Sequence, residues 1–341
     1  MSIGLLNGLQ NGAEKGLSSG VGSGFDAGFS NGLAIGDVIK QTPSFRNIIN
    51  VPQVLAVSLR KLNPTYSGPI LTIRRNSDNA ELDIYDYDGY VNYNEAGIFC
   101  SGQDIFIKTW HDQSGNNYHF TQPTSNLQPR LVIRNNIASV LFSGAQYLSI
   151  PGTNSRQGGN AAFNFINSAA GKSTIVMLVE PSLLPNQSAR YTILDNGGTY
   201  TGGDAFTGEF GFCISYENRS PRVDSFSYAT SNRNFSRPAN IIFDYFFENT
   251  KLNLSVNFSN ASAEMEFDYQ SRLKNYTFRG AGYGGAQVGG SKYDLHIGVP
   301  GSLRGEFFYS GYMYEIIIYN SIQQANADNI IKNIKDFYKI L

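Results

Sequence analysis

The chain has 341 residues, with 26 Lys and Arg against 27 Asp and Glu and a formal net charge of −1. So balanced a sequence carries no field to draw in nucleic acid or an anionic membrane surface, and neither is expected as a partner. Hydrophobic residues make up 41% and charged residues 16%, with 36 Gly, 21 Tyr and 23 Phe, which fits the strands and tight turns of an all-β protein.

The most regular signal comes first. Gly4, Gly8, Gly12, Gly16, Gly20, Gly24, Gly28, Gly32 and Gly36 stand in strict four-residue register, most of them followed by an apolar residue. On a helix, residues four apart lie almost above one another, so these glycines would line a groove that another backbone can approach closely. Each helix-interior Gly costs about 1 kcal/mol relative to Ala, so such a helix needs packing against a copy of itself or a neighbour. Residues 1–45 are therefore expected to form a glycine-repeat segment for oligomerisation or anchoring. A flexible linker, the alternative, has no reason to keep register. No basic stretch leads into an unbroken apolar run, and no window reaches the length of a spanning helix, so neither a secretory signal nor a transmembrane segment is expected.

From Val51 the character changes to short β-rich runs broken by Gly, Asn, Pro and Ser, and residues 46–341 are expected to form one β domain. Residues 54–62 carry a helical pattern. Strands are expected at 70–74, 105–110, 139–142, 173–179, 210–215, 241–247, 252–258 and 312–319. A closing helix is expected over 321–341, capped by Ser321, with Ala327, Ile330, Ile331, Ile334, Phe337, Tyr338 and Leu341 on one apolar face.

Three stretches carry groups that could do chemistry. Asp83, Asp86 and Asp88 before Gly89 offer the oxygen ligands that calcium takes, although their spacing fits no defined loop and a solvated acidic turn is preferred. Trp110-His-Asp-Gln-Ser-Gly-Asn116 reads as a strand end entering a turn, where Asp112 and Ser114 accept backbone N–H bonds and Gly115 takes a positive φ. Asp112 beside His111 and His119 suggests acid–base chemistry, but no nucleophile stands at a recognisable spacing. Cys100 and Cys213 are far apart, lack metal or redox spacing, and read as buried thiols.

The run Ser58-Leu-Arg-Lys-Leu-Asn-Pro-Thr-Tyr-Ser-Gly-Pro-Ile-Leu-Thr-Ile-Arg-Arg-Asn-Ser-Asp-Asn-Ala80, then Phe99-Cys100, then Ile107-Lys-Thr-Trp-His-Asp-Gln-Ser-Gly-Asn-Asn-Tyr-His-Phe-Thr-Gln122 resembles the catalytic domain of family 54 α-L-arabinofuranosidases. The same pattern is similar to that of phage and large-virus proteins carrying concanavalin-like lectin/glucanase domains. Over residues 52–341 the resemblance implies a concanavalin-like β-sandwich of jelly-roll type. It also implies that Glu217, in Ile-Ser-Tyr-Glu-Asn218, corresponds to the family's nucleophile. The family's acid/base aspartate follows an Ile-Gly pair, whereas here Ile297-Gly298 runs into Val299-Pro300-Gly301 with no carboxylate. Glu306 and Asp195 are the available substitutes. The family's adjacent cysteine pair is also absent.

A retaining glycosidase needs two carboxyl groups flanking the scissile bond. With the acid position empty, the preferred expectation is a non-enzymatic structural protein of a virus or phage particle: a capsid decoration, fibre or attachment module located in the virion. It would bind copies of itself or other virion proteins through residues 1–45, and a cell-surface glycan through exposed aromatics. The alternative expectation is a glycoside hydrolase of α-L-arabinofuranosidase type with Glu217 as nucleophile, and a third is a capsid cement without a ligand.

Overall fold

A computed structural model describes residues 52–134, 137–152, 160–167, 172–181, 190–196, 211–217, 220–226, 252–259, 262–269, 272–279, 293–301, 303, 308–321, 323 and 326–338. In chain order its strands are β1 (Gln53–Ser58), β2 (Leu71–Arg75), β3 (Glu81–Ile84), β4 (Asp86–Tyr87), β5 (Tyr90–Val91), β6 (Ile105–Trp110), β7 (Phe120–Thr121), β8 (Arg130–Arg134), β9 (Ile137–Ser143) and β10 (Leu148–Ile150). There follow β11 (Lys172–Pro181), β12 (Arg190–Asp195), β13 (Gly211–Glu217), β14 (Ser220–Phe226), β15 (Leu252–Ser259), β16 (Ser262–Tyr269), β17 (Arg272–Arg279), β18 (Leu295–Ile297) and β19 (Ser310–Tyr319). Among the described residues the α-helices are α1 (Tyr93–Phe99) and α2 (Ala327–Tyr338).

Apart from the β4–β5 hairpin, these strands form one curled antiparallel sheet. Its back half runs β17-β16-β15-β11-β19-β1. Its front half runs β3-β2-β6-β7-β10-β18-β12-β13-β14. The halves join through β8 and β9, because β8 pairs with β6 and β9 pairs with the first residues of β19. Both halves bury side chains in one apolar core: Leu55, Val57, Ile175, Met177, Ile316 and Ile318 from the back, Leu71, Ile107, Trp110, Leu148, Leu194 and Ile297 from the front. The all-β expectation holds, as a curled antiparallel sheet with few helices.

The helix expected over residues 54–62 is instead β1. Leu55, Val57 and Leu59 point into the main core, while Ala56, Ser58 and Arg60 face the opposite side. A strand covered on both faces reads as a near-continuous apolar run, which hides its period of two.

The covering on that second side is α2, shorter than the expected 321–341. Ile330, Ile334 and Tyr338 bury against Val176, Leu178, Tyr314, Ile317 and Tyr319. Ser321 does not cap it; Gln323, whose N–H donates to Thr174 Oγ1 at 2.8 Å, ties the approach to β11. Beneath the helix lies a buried ion pair in which Arg60 Nε and Nη2 donate to Glu315 Oε2 and Oε1 at 2.7 and 2.9 Å. Ser58 Oγ donates to the same carboxylate at 2.9 Å, and Arg60 Nη1 reaches Asn333 of α2 at 2.6 Å. Arg60 lies 4.8 Å above the Phe337 ring. The glycine repeat and the strand expected at 241–247 lie outside the described residues.

Candidate functional site

Residues directly opposite in an antiparallel ladder point to the same face. Across the front half the register aligns Asp83, Thr72, Thr109, Thr121, Ser149, His296 and Asp195 in one row. Their strand neighbours Leu71, Trp110, Phe120, Leu148, Leu295, Ile297 and Leu194 fill the core. The front half therefore turns apolar side chains to the core and a polar row, buried at Thr109, His296 and Asp195, to the opposite face. Two residues along their strands, His111, His119, Tyr147 and Asp294 fall on that same outer face, which thus holds all 3 histidines of the chain.

At one end, Thr72 Oγ1 donates to Asp83 Oδ1 at 2.5 Å and so accepts from His111 Nε2 at 2.8 Å. The His111 and His119 rings meet edge-on, centroids 4.7 Å apart. His119 Nδ1 accepts the Asp112 N–H at 3.0 Å. Burial pulls the His111 pKa down to about 4, and neighbouring His119 adds to the effect. Burial also lowers His119, against the pull of Asp112.

The turn behind these histidines matches the expectation. Asp112 Oδ1 accepts the N–H groups of Ala56 and Ser114, each at 2.9 Å, and Oδ2 accepts the Tyr118 N–H and the Ser114 hydroxyl. Gly115 has φ +93°. Asp112 is thereby a buried bracket between β1 and the turn.

At the other end, Asp195 is fully buried at the close of β12, and Tyr293 N–H donates to the Asn196 carbonyl at 3.1 Å. Gly301 sits so close that a Cβ there would lie 3.0 Å from Asp195 Oδ1 and 2.8 Å from the Tyr293 ring. His296, 4% exposed, stands between Ser149 and Asp195 with Tyr147 flanking it at 5.9 Å. Its Nδ1 has no hydrogen-bond partner among the described residues. Burial lowers its pKa to about 4, opposed by Asp294. Asp294 Oδ1 accepts the Gly152 N–H at 2.5 Å. Asp294 is the diagonal neighbour of Asp195 across the ladder, a spacing of about 7–8 Å.

Other residues singled out in the sequence fall elsewhere. Glu217 ends β13 opposite Arg190, whereas Asp195 is opposite Cys213. Four residues of strand separate the two positions, about 13 Å. Glu306 lies outside the described residues. After Gly298, which sits at φ +89° and has no room for a Cβ beside Phe142 and the Gln146 carbonyl, Val299 is buried and Pro300 follows, so no carboxylate replaces the missing acid there. Asp83 is held by Thr72, Asp86 pairs with Lys61 at 3.0 Å, and Asp88 sits in a turn at φ +51°. The three do not converge, and among the described residues no group of three or more His, Cys, Asp or Glu could hold a metal ion. Cys100 is a buried free thiol, as expected. Sequence reasoning misses Tyr147, Asp294 and His296; the alternation Asp294-Leu295-His296-Ile297 is the signal that marks two of them as facing out.

Comparison with known proteins bears on this face. A family model described as the catalytic part of α-L-arabinofuranosidase B matches residues 48–141, from β1 into β9. α-L-Arabinofuranosidase B of Penicillium canescens is 35% identical over 65 residues, 18% of this chain and 14% of that protein. A probable α-L-arabinofuranosidase B of Aspergillus fumigatus is 38% identical over 65 residues, 18% of this chain and 13% of that protein. Among solved structures, a family 54 α-L-arabinofuranosidase soaked with a cyclic sulfate inhibitor superposes with a TM-score of 0.57 at 14% identity, covering 83% of this chain and 63% of that one. An arabinofuranosidase complexed with arabinofuranosyl-α-1,2-xylobiose gives 0.56 at 16% identity with the same coverage. The likeness shows a shared fold.

The matched stretch spans about one seventh of the curated relatives' length, 14% and 13%. These matches overturn the expectation of a non-enzymatic virus or phage particle protein and its virion location. Each is to an arabinofuranosidase, the curated ones are fungal, and none of them points to a capsid, fibre or attachment role. The physical ground for that expectation is the missing acid after Ile297-Gly298. It carries less weight once Asp195 is found buried beside Gly301 of that same turn.

Proposed function

We propose that this protein is a glycoside hydrolase acting on α-L-arabinofuranosides, with its active site on the outer face where β10, β18 and β12 meet. The observation that carries the reading is a buried carboxylate, Asp195, flanked in register by His296 and diagonally by Asp294, on a fold shared with arabinofuranosidases. Asp195 and Asp294 are the proposed carboxylate pair. As diagonal neighbours across the ladder they lie within side-chain reach of one another, the arrangement a pair of carboxyl groups flanking one glycosidic bond requires. Glu217, about 13 Å along the strand from the position opposite Asp195, is not proposed as the partner of that carboxylate.

The test is release of nitrophenol from 4-nitrophenyl α-L-arabinofuranoside by the full chain and by Asp195→Asn, Asp294→Asn and Glu217→Gln. The first two variants are expected to lose about 10²–10⁴-fold in kcat and Glu217→Gln to stay near the parent. A large loss in Glu217→Gln alone would return the nucleophile to that residue.

The reading extends to the organisation of the chain. The curled sheet is proposed to be a jelly-roll, concanavalin-like sandwich, supported by two strand layers enclosing one core. Residues 1–45 are proposed to associate copies of the chain through the glycine register. Gly16→Leu with Gly20→Leu in the full chain is expected to lower its mass by light scattering.

A further inference from the structure

The histidine pair at the β2–β6 end of this face plays no part in the proposed active site. Thr72, which His111 contacts, and Asp195 stand five strand spacings apart in the row, about 24 Å along it. Hydrogen bonds fix the tautomers of both rings. His111 Nε2 donates to Thr72, so the neutral ring offers Nδ1 as an acceptor. His119 Nδ1 accepts the Asp112 N–H, so its proton sits on Nε2 as a donor. Neither His111 Nδ1 nor His119 Nε2 has a hydrogen-bond partner among the described residues, and neither is enclosed, because both rings are half-buried. The rings meet edge-on with centroids 4.7 Å apart, which sets one free acceptor beside one free donor. A metal ion would need a bare electron pair on each ring, and freeing one on His119 Nε2 would break its bond to Asp112.

Aromatic rings border the pair. Tyr85, two residues beyond Asp83, is 48% exposed. Tyr66 is half-buried and fixed: its hydroxyl donates to the Pro69 carbonyl at 2.8 Å, and a Cβ on Gly68 would lie 2.5 Å from that hydroxyl. Burial, followed by the charges of Asp112, Tyr85 and Asp83, raises the Tyr66 pKa to about 12, so these groups lie around its ring.

We propose that His111 and His119 form a second carbohydrate site, which holds a hydroxyl of a neutral pyranose unit between Nδ1 and Nε2 and lays the C–H face of that unit on Tyr85. A hydroxyl both accepts and donates, which matches the two free nitrogens, and an aromatic ring packs against an apolar sugar face. The exposed carboxylate of Asp83 repels anionic sugars. Lying apart from the arabinofuranoside site, this one takes another unit of the same polymer; only the choice of a carbohydrate as ligand rests on the glycosidase reading.

The probe is xylohexaose, a neutral pyranose oligomer, titrated into the full chain while the imidazole ¹⁵N resonances are followed. His111 Nδ1 and His119 Nε2 are expected to shift, and the enclosed His296 ring to stay put as an internal reference. Tyr85→Ala, a change at an exposed position, is expected to weaken binding by roughly 3- to 10-fold, and His119→Phe, which keeps a ring but not the donor, by a similar factor. An oligogalacturonate, whose units carry carboxylates, is expected to leave both signals unmoved. The inference falls if neither nitrogen responds to xylohexaose, if His296 alone does, if both variants bind like the parent, or if the oligogalacturonate moves the same signals. Each of these results is independent of whether the chain cleaves the nitrophenyl glycoside. Responses at both nitrogens in a protein that does not cleave that glycoside would keep this site and sink the glycosidase reading instead.

Discussion

Gly301 shows how much one hydrogen atom decides on the polar face. A methyl group there would stand 2.8 Å from the Tyr293 ring and 3.0 Å from Asp195 Oδ1. The ring, fixed near its backbone, yields less readily than the carboxylate, so Gly301→Ala should push Asp195 out of place at a cost of about 1–3 kcal/mol. The expected result is a fall in kcat on the nitrophenyl glycoside with a modest drop in Tm; unchanged turnover would remove Asp195 from the site. At this scale the sequence is legible where the chemistry is local. The Asp112 bracket and the positive φ of Gly115 follow from residue types in order. Asp195 can be picked out as a carboxylate, but its closeness to Gly301 and His296, about 100 positions on, depends on register between β12 and β18 that no local pattern encodes.

Elements explain both the successes and the misreading. Strands with one wet face, such as β6 and β10, announce themselves by alternation, and residues 105–110 coincide with β6 as expected. β1 lies under α2 on one side and over the core on the other, so its sequence loses the contrast that separates a strand from a helix. Where α2 docks, the Arg60–Glu315 pair is buried on both sides, with side-chain exposures of 6% and 0%. Removing one member strands the other charge. Glu315→Ala is expected to cost about 3–5 kcal/mol in urea unfolding, and Arg60→Met with Glu315→Leu together much less. Breaking the exposed Lys332–Asp336 pair on the outer side of the same helix should leave the unfolding midpoint where it was.

For the whole molecule, the histidines link folding to acidity. The folded pKa values of His111 and His296 lie at about 4, below the ordinary histidine value of 6.5, because burial disfavours their charged form. Between those values the unfolded chain takes up protons that the folded chain refuses, so stability falls as pH drops from about 6.5 to about 4 and is regained as pH rises. Urea midpoints at a series of pH values should show this slope, and His296→Asn should flatten it. A slope identical in the variant would mean that His296 is not held neutral by the fold.

Strand β19 also governs when the molecule can exist at all. Its residues 315–319 zip onto β1, its residues 310–313 onto β9, and the whole strand runs beside β11. Ser58 and its partner Glu315 are 257 positions apart. Until that late segment leaves the ribosome, three earlier strands wait with bare edges, each able to recruit the wrong neighbour. Closure of the sheet thus waits for β19, and the yield of native protein should depend on holdase chaperones during synthesis more than on the strength of the finished core.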